Sequence, residues 1–98
     1  MVLPSHLPEN VSLLASAERD LARLLKRNRQ EFLRVWEDLQ RLGAGTLPPQ
    51  GKKKLASMDA YQLDSGRYRI VYSRREATYV IWAVFAKPEQ QNYFKRFR

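Results

Sequence analysis

Two runs decide the fold: Arg67-Tyr68-Arg69-Ile70-Val71-Tyr72 and Thr78-Tyr79-Val80-Ile81-Trp82-Ala83-Val84-Phe85-Ala86. Both are dense in β-branched and aromatic residues, which suit a pleated, half-buried surface. The segment Arg74-Arg75-Glu76-Ala77 between them is short enough for a hairpin loop, so the runs should pair antiparallel. Upstream, Tyr61-Gln62-Leu63 reads as a third strand and Asp64-Ser65-Gly66 as the turn that follows it. Pro88 ends the last strand. Because side chains alternate along a strand, Arg69 and Val71 share one face while Tyr68, Ile70 and Tyr72 share the other.

Working outward, Val11-Ser12-Leu13-Leu14-Ala15 is a short apolar run with strand character, and Ser16 followed by Glu18 reads as a helix N-cap with an early acidic residue. Leu21, Leu24 and Leu25 repeat at helical spacing opposite Arg19, Arg23, Lys26 and Arg27. Asn28 breaks this helix and caps a second, whose apolar stripe is Phe32, Val35, Trp36, Leu39 and Leu42, with Gly43 and Gly45 as its stop. Pro48-Pro49-Gln50-Gly51 is a loop that continues into the basic run Lys52-Lys53-Lys54. The expected fold is α+β in the order β-α-α-β-β-β: a small, mainly antiparallel sheet with the two N-terminal helices packed on one face. Residues 1–10, with Pro4 and Pro8, read as a leader, 11–98 as a single domain, and Glu89 to Arg98 as a short helix or a packed tail.

Composition narrows the function. The 98 residues are 44% hydrophobic and 29% charged, a globular profile with room for one domain. With no cysteine, disulfides, thiolate catalysis and Cys-ligated zinc are excluded; the single histidine, His6, excludes a histidine cluster. No signal or transit peptide is expected, and no run approaches the roughly 20 apolar residues of a membrane span, so a cytoplasmic protein without a membrane partner is expected. The net charge is +8, and it is unevenly placed: residues 1–49 carry seven basic and six acidic side chains, residues 50–98 eleven and four. Such an excess serves solubility alone or fits a polyanion or an acidic protein partner.

The element order, the Ser-Ala step after the first strand, Lys54-Leu55, the Tyr61 strand, and above all Gly66-Arg67-Tyr68-Arg69-Ile70-Val71-Tyr72 carry a resemblance. With Lys87 after the final strand and Tyr93 six residues later, the chain from Val11 to Phe97 resembles the RelE/ParE family of bacterial type II toxin–antitoxin toxins. That resemblance implies a small basic toxin covered by a cognate antitoxin with an acidic or amphipathic segment. RelE-like members are endoribonucleases, mRNA interferases that act on the ribosome and inhibit translation; ParE-like members poison DNA gyrase without nuclease activity. The family's catalytic arginine, post-strand basic residue and C-terminal tyrosine correspond to Arg69, Lys87 and Tyr93. Its two strand lysines have no counterpart, since Gln62 and Asp64 stand at or near their positions. Lys52, Lys53 and Lys54 can replace the charge; with Arg67, Trp82, Lys95 and Arg96 they are the RNA-binding candidates.

RNA cleavage through the 2′-hydroxyl needs a base for that proton, a cation for the phosphorane and an acid for the leaving 5′-oxygen, with no cofactor or metal. Arg69 suits the phosphate, because a guanidinium stays charged and donates two parallel hydrogen bonds. Lys87 shares this role or, with Tyr93, moves the proton; Asp64 is an alternative base. If the helices cover the Tyr68 face, Arg69 stands on an open face with Trp82, a surface on which a base can stack. The structural alternatives are that Arg69 merely pairs with Asp64 or Glu76, that Trp82 and Tyr93 are packing, and that Lys87 is solvated. An inactive nucleic-acid-binding relative is the third reading of the whole.

Overall fold

The computed structural model describes residues 7–46, 52–54 and 60–89. Strand β1 (Val11–Leu13) leads into helices α1 (Ala15–Arg27) and α2 (Arg29–Ala44), followed by β2 (Lys52–Lys54), β3 (Tyr61–Ser65), β4 (Tyr68–Arg75) and β5 (Thr78–Ala86), with a turn of 3₁₀ helix at Lys87–Glu89. The strands form one sheet in the order β1-β5-β4-β3-β2. The β4–β5 pairing is antiparallel, as are β3–β4 and β2–β3, whereas β1 joins β5 in parallel. The sheet is therefore mixed, and the class is α+β as expected.

Both helices lie on the Tyr68 face. Leu21 and Leu24 of α1 and Phe32, Val35, Trp36, Leu39 and Leu42 of α2 pack with Leu63, Ile70, Tyr72, Ile81 and Val84 of the sheet. Burying side chains of this size contributes about 1.5–3 kcal/mol each. Asn28 serves both helices: its N–H caps α1 on the Leu24 carbonyl, and its side chain accepts from the Glu31 N–H at the start of α2. Ser16 is not the N-cap of α1. Leu14 holds that position, and the Ser16 hydroxyl donates to the Trp82 carbonyl.

Three expectations at turns and strand ends are corrected. Lys52-Lys53-Lys54 is an edge strand rather than loop, since pairing with β3 outweighs lysine's poor strand propensity and lysine is a common guard of sheet edges. Asp64 and Ser65 belong to β3; the turn is Gly66-Arg67, with Gly66 at φ 60°. Gly43 lies inside α2, where a Cβ would approach Val11 Cγ2 to 2.7 Å and Pro8 Cγ to 2.8 Å, so its role is close packing under β1. Gly45 alone closes the helix, in the left-handed region at φ 74°.

A register shift between Val71 and Tyr72 leaves Trp82 as the extra residue of β5. Ile81 and Val84 consequently face the helices, while Trp82, Ala83 and Phe85 join Val71 and Ala60 in a second apolar cluster on the Arg69 face. That face is not bare, as alternation alone had suggested: Val71 and Ala83 are fully buried and Phe85 nearly so. Past the end of β1, α1 covers the edge of β5. The Val84 N–H donates to the buried Asp20 carboxylate at 3.0 Å, and Arg23 donates to its other oxygen.

Candidate functional site

The central pair of charges is set by strand register. Asp64 of β3 stands directly opposite Arg69 of β4, which in turn faces Phe85 of β5. Two residues beyond Phe85, the chain continues the ladder for one more hydrogen bond, from the Lys87 N–H to the Arg67 carbonyl at 3.1 Å. Lys87 is thereby held beside Arg69 although it lies outside the strand.

The side chains converge on one carboxylate. Arg69 Nε donates to Asp64 Oδ1 at 3.0 Å, and Lys87 Nζ lies 3.6 Å from Asp64 Oδ2. The guanidinium is 25% exposed, the lysine 38% and the carboxylate 47%, so the group borders solvent above the layer formed by Val71, Ala83 and Phe85. An apolar floor under charged groups limits their motion and lowers the local dielectric, which strengthens their pull on an incoming phosphate. The pairing of Arg69 with Asp64 rather than Glu76 was one of the two partners the sequence offered. The convergence of Lys87 on the same carboxylate was not read from it.

The other sequence-derived candidates are more dispersed. Trp82 shares the Arg69 face, half-buried against the second cluster, with its indole N–H donated to Ser73 Oγ at 3.0 Å. Ser73 is four residues along β4 from Arg69, about 13 Å at the usual strand rise. Arg67 is 87% exposed, and its guanidinium lies 3.8 Å from Glu31 of α2, so it is directed to the helix layer. It lines a cleft of about 310 Å³ with Arg27, Asn28, Glu31 and Tyr68. There burial, then the hydrogen bond and charge of Glu31, raise the Tyr68 hydroxyl above its ordinary pKa. The backbones of Lys52, Lys53 and Lys54 run beside β3, with Lys53 opposite Gln62, which is buried. Tyr93, Lys95 and Arg96 lie outside the described residues. Among the described residues no cluster of His, Cys, Asp and Glu suits a metal ion, and no helix is long and apolar enough to cross a membrane.

No protein-family model and no curated protein sequence matches the chain, so the likeness to known proteins is carried by structure. A chain of the YoeB–YefM complex of Staphylococcus aureus superposes with a TM-score of 0.66 at 18% identity, covering 82% of this chain and 95% of that one. YafQ of Escherichia coli superposes at 0.67 with 12% identity, covering 85% and 98%. The toxin–antitoxin complex RelBE of Mycobacterium tuberculosis gives 0.63 at 25% identity, covering 85% and 95%. This is the fold of the RelE-family toxins. Within the RelE fold, the central strand is β4, and the resemblance read from the Arg69 segment is matched by the architecture around it. The superposition spans nearly the whole of each neighbouring chain.

Proposed function

We propose that the chain is the toxin of a type II toxin–antitoxin pair and cleaves messenger RNA on the ribosome through the RNA's own 2′-hydroxyl. The observation that carries this reading is the convergence of Arg69 and Lys87 on one anionic position, at the face of a fold shared with YoeB and YafQ. Arg69 supplies the fork that matches two phosphate oxygens, and Lys87 adds a point charge to the phosphorane. Tyr93, as its phenolate, takes the proton of the attacking 2′-hydroxyl, and the Lys87 ammonium gives one to the leaving 5′-oxygen. Trp82, whose indole N–H reaches Ser73 four residues along β4 from Arg69, offers its ring to a base of a neighbouring nucleotide rather than to the one cleaved. Lys52, Lys53, Lys54, Lys95 and Arg96 hold the RNA backbone by charge, without base selection. With no histidine among the described residues, the site is a weak catalyst on free RNA, which gives the ribosome its part: it orients the message.

The partner that silences the toxin is a cognate antitoxin with an acidic segment. Support comes from the net +7 of residues 50–98 and from the neighbours solved as toxin–antitoxin complexes. Inducing the chain in cells tests the proposal: growth arrest with loss of intact message is expected from the native protein and neither from Arg69→Ala. The presence of Gln62 and Asp64 in place of the two strand lysines favours the ParE-like reading as the competitor. DNA breaks with intact message after induction would establish that competitor instead.

A further inference from the structure

Asp64 is the residue that the proposed function does not use. Its carboxylate is about half exposed, yet one oxygen accepts a hydrogen bond from Arg69 and the other lies in an ion pair with the Lys87 ammonium. Two oxygens spanning a guanidinium and an ammonium have the same donor arrangement as two oxygens of a phosphodiester. The contact is built into the register, because Asp64 and Arg69 are direct cross-strand partners. Rotation of an exposed carboxylate about its own side-chain bonds can break it without disturbing the strand.

We propose that Asp64 is an internal phosphate surrogate: its carboxylate holds Arg69 and Lys87 until an RNA phosphate displaces it. The inference rests on the reading of Arg69 as the phosphate-binding group. Its consequence is a selection threshold. A loose anion has to compete with a carboxylate tethered beside the cations, whereas a phosphate already positioned by another body competes at high effective concentration. Asp64 thus suppresses binding of free RNA and stray nucleotides and leaves the site responsive to a message that is presented to it.

Binding of a short, labelled single-stranded RNA carrying 2′-O-methyl groups, which lacks the attacking hydroxyl, tests this by fluorescence anisotropy at low salt. Asp64→Asn and Asp64→Ser should each tighten binding about fivefold or more, the upper end of what an exposed ion pair is worth. Glu18→Gln on α1 changes the net charge equally in the other layer and should tighten it far less. In a background carrying both Arg69→Ala and Lys87→Ala the gain from Asp64→Asn should vanish. Equal tightening by Asp64→Asn and Glu18→Gln, or weaker binding by both Asp64 variants, would overturn the proposal while leaving Arg69 as the phosphate ligand. Binding unaffected by Arg69→Ala would overturn the phosphate reading itself, and the surrogate with it.

Discussion

At the scale of single residues, Arg69 combines a fixed charge with a fixed orientation, and the two are separable by substitution. Arg69→Lys keeps the charge but loses the planar fork, so ribosome-dependent cleavage should fall at least about tenfold while binding of RNA changes little. A variant that cleaves as the native protein does would show that charge alone suffices. Asp20 is a carboxylate of the opposite kind, buried and structural. Asp20→Ala leaves the Val84 N–H buried without its acceptor and should cost about 1–3 kcal/mol in urea denaturation, with β5 the affected strand. Arg69 and Lys87 were legible as candidates through the resemblance, Arg69 within the strongly patterned strand β4 and Lys87 at the proline-marked exit of β5. The role of Asp64 was not, since Asp-Ser-Gly has the composition of a turn and only the two-residue turn at Gly66-Arg67 moves Asp64 into the ladder.

Among the elements, the two helices and strands β3, β4 and β5 followed from periodicity and β-rich composition. Asn28 was recognisable as a cap because its side chain can accept from the N–H three residues on. Two features depend on partners that local sequence does not name. Edge strand β2 exists through its pairing with β3, and the parallel contact of β1 with β5 joins segments at opposite ends of the chain. The bulge at Trp82 is likewise a property of the pair β4–β5, although the unbroken apolar run Ile81 to Ala86 carries a signal: a strand without polar alternation is buried on both faces. Gly43 provides a test of the layer contact. Gly43→Ala should gain about 1 kcal/mol of helix propensity, yet the new methyl group meets Val11, Pro8 and Asn10 at under 3 Å. Net destabilisation of about 1–3 kcal/mol in urea denaturation is expected, because the strand must shift to make room.

For the molecule as a whole, the helix layer and the sheet meet at a row of tyrosines. Tyr72 stacks on Tyr61 with ring centroids 5.6 Å apart and meets the edge of Tyr79 at 5.8 Å. Burial, with Tyr79 and Tyr61 adding to it, pushes the Tyr72 hydroxyl up to about 12. The folded protein thus holds this proton more tightly than the unfolded chain, whose tyrosines titrate near 10. The stability that follows from it is fully present below pH 10 and is lost as pH rises toward about 12. Urea midpoints measured on either side of pH 10 should show a loss of about 1–3 kcal/mol at the alkaline end, reduced in Tyr72→Phe.

Charge divides the molecule differently. The nearly neutral first half supplies the helix layer, whereas the strongly basic second half supplies the sheet strands that carry Arg69 and the exit that carries Lys87. This division fits one layer that builds the core and a second that meets a polyanion, the layer proposed here to cut RNA. Purified ribosomes translating a defined message, incubated with the native chain or Arg69→Ala and followed by mapping of RNA 5′ ends, test this proposal directly. New ends in register with translated codons are expected from the native chain and none from the variant. An intact message with the native chain, or the same ends with Arg69→Ala, would contradict it.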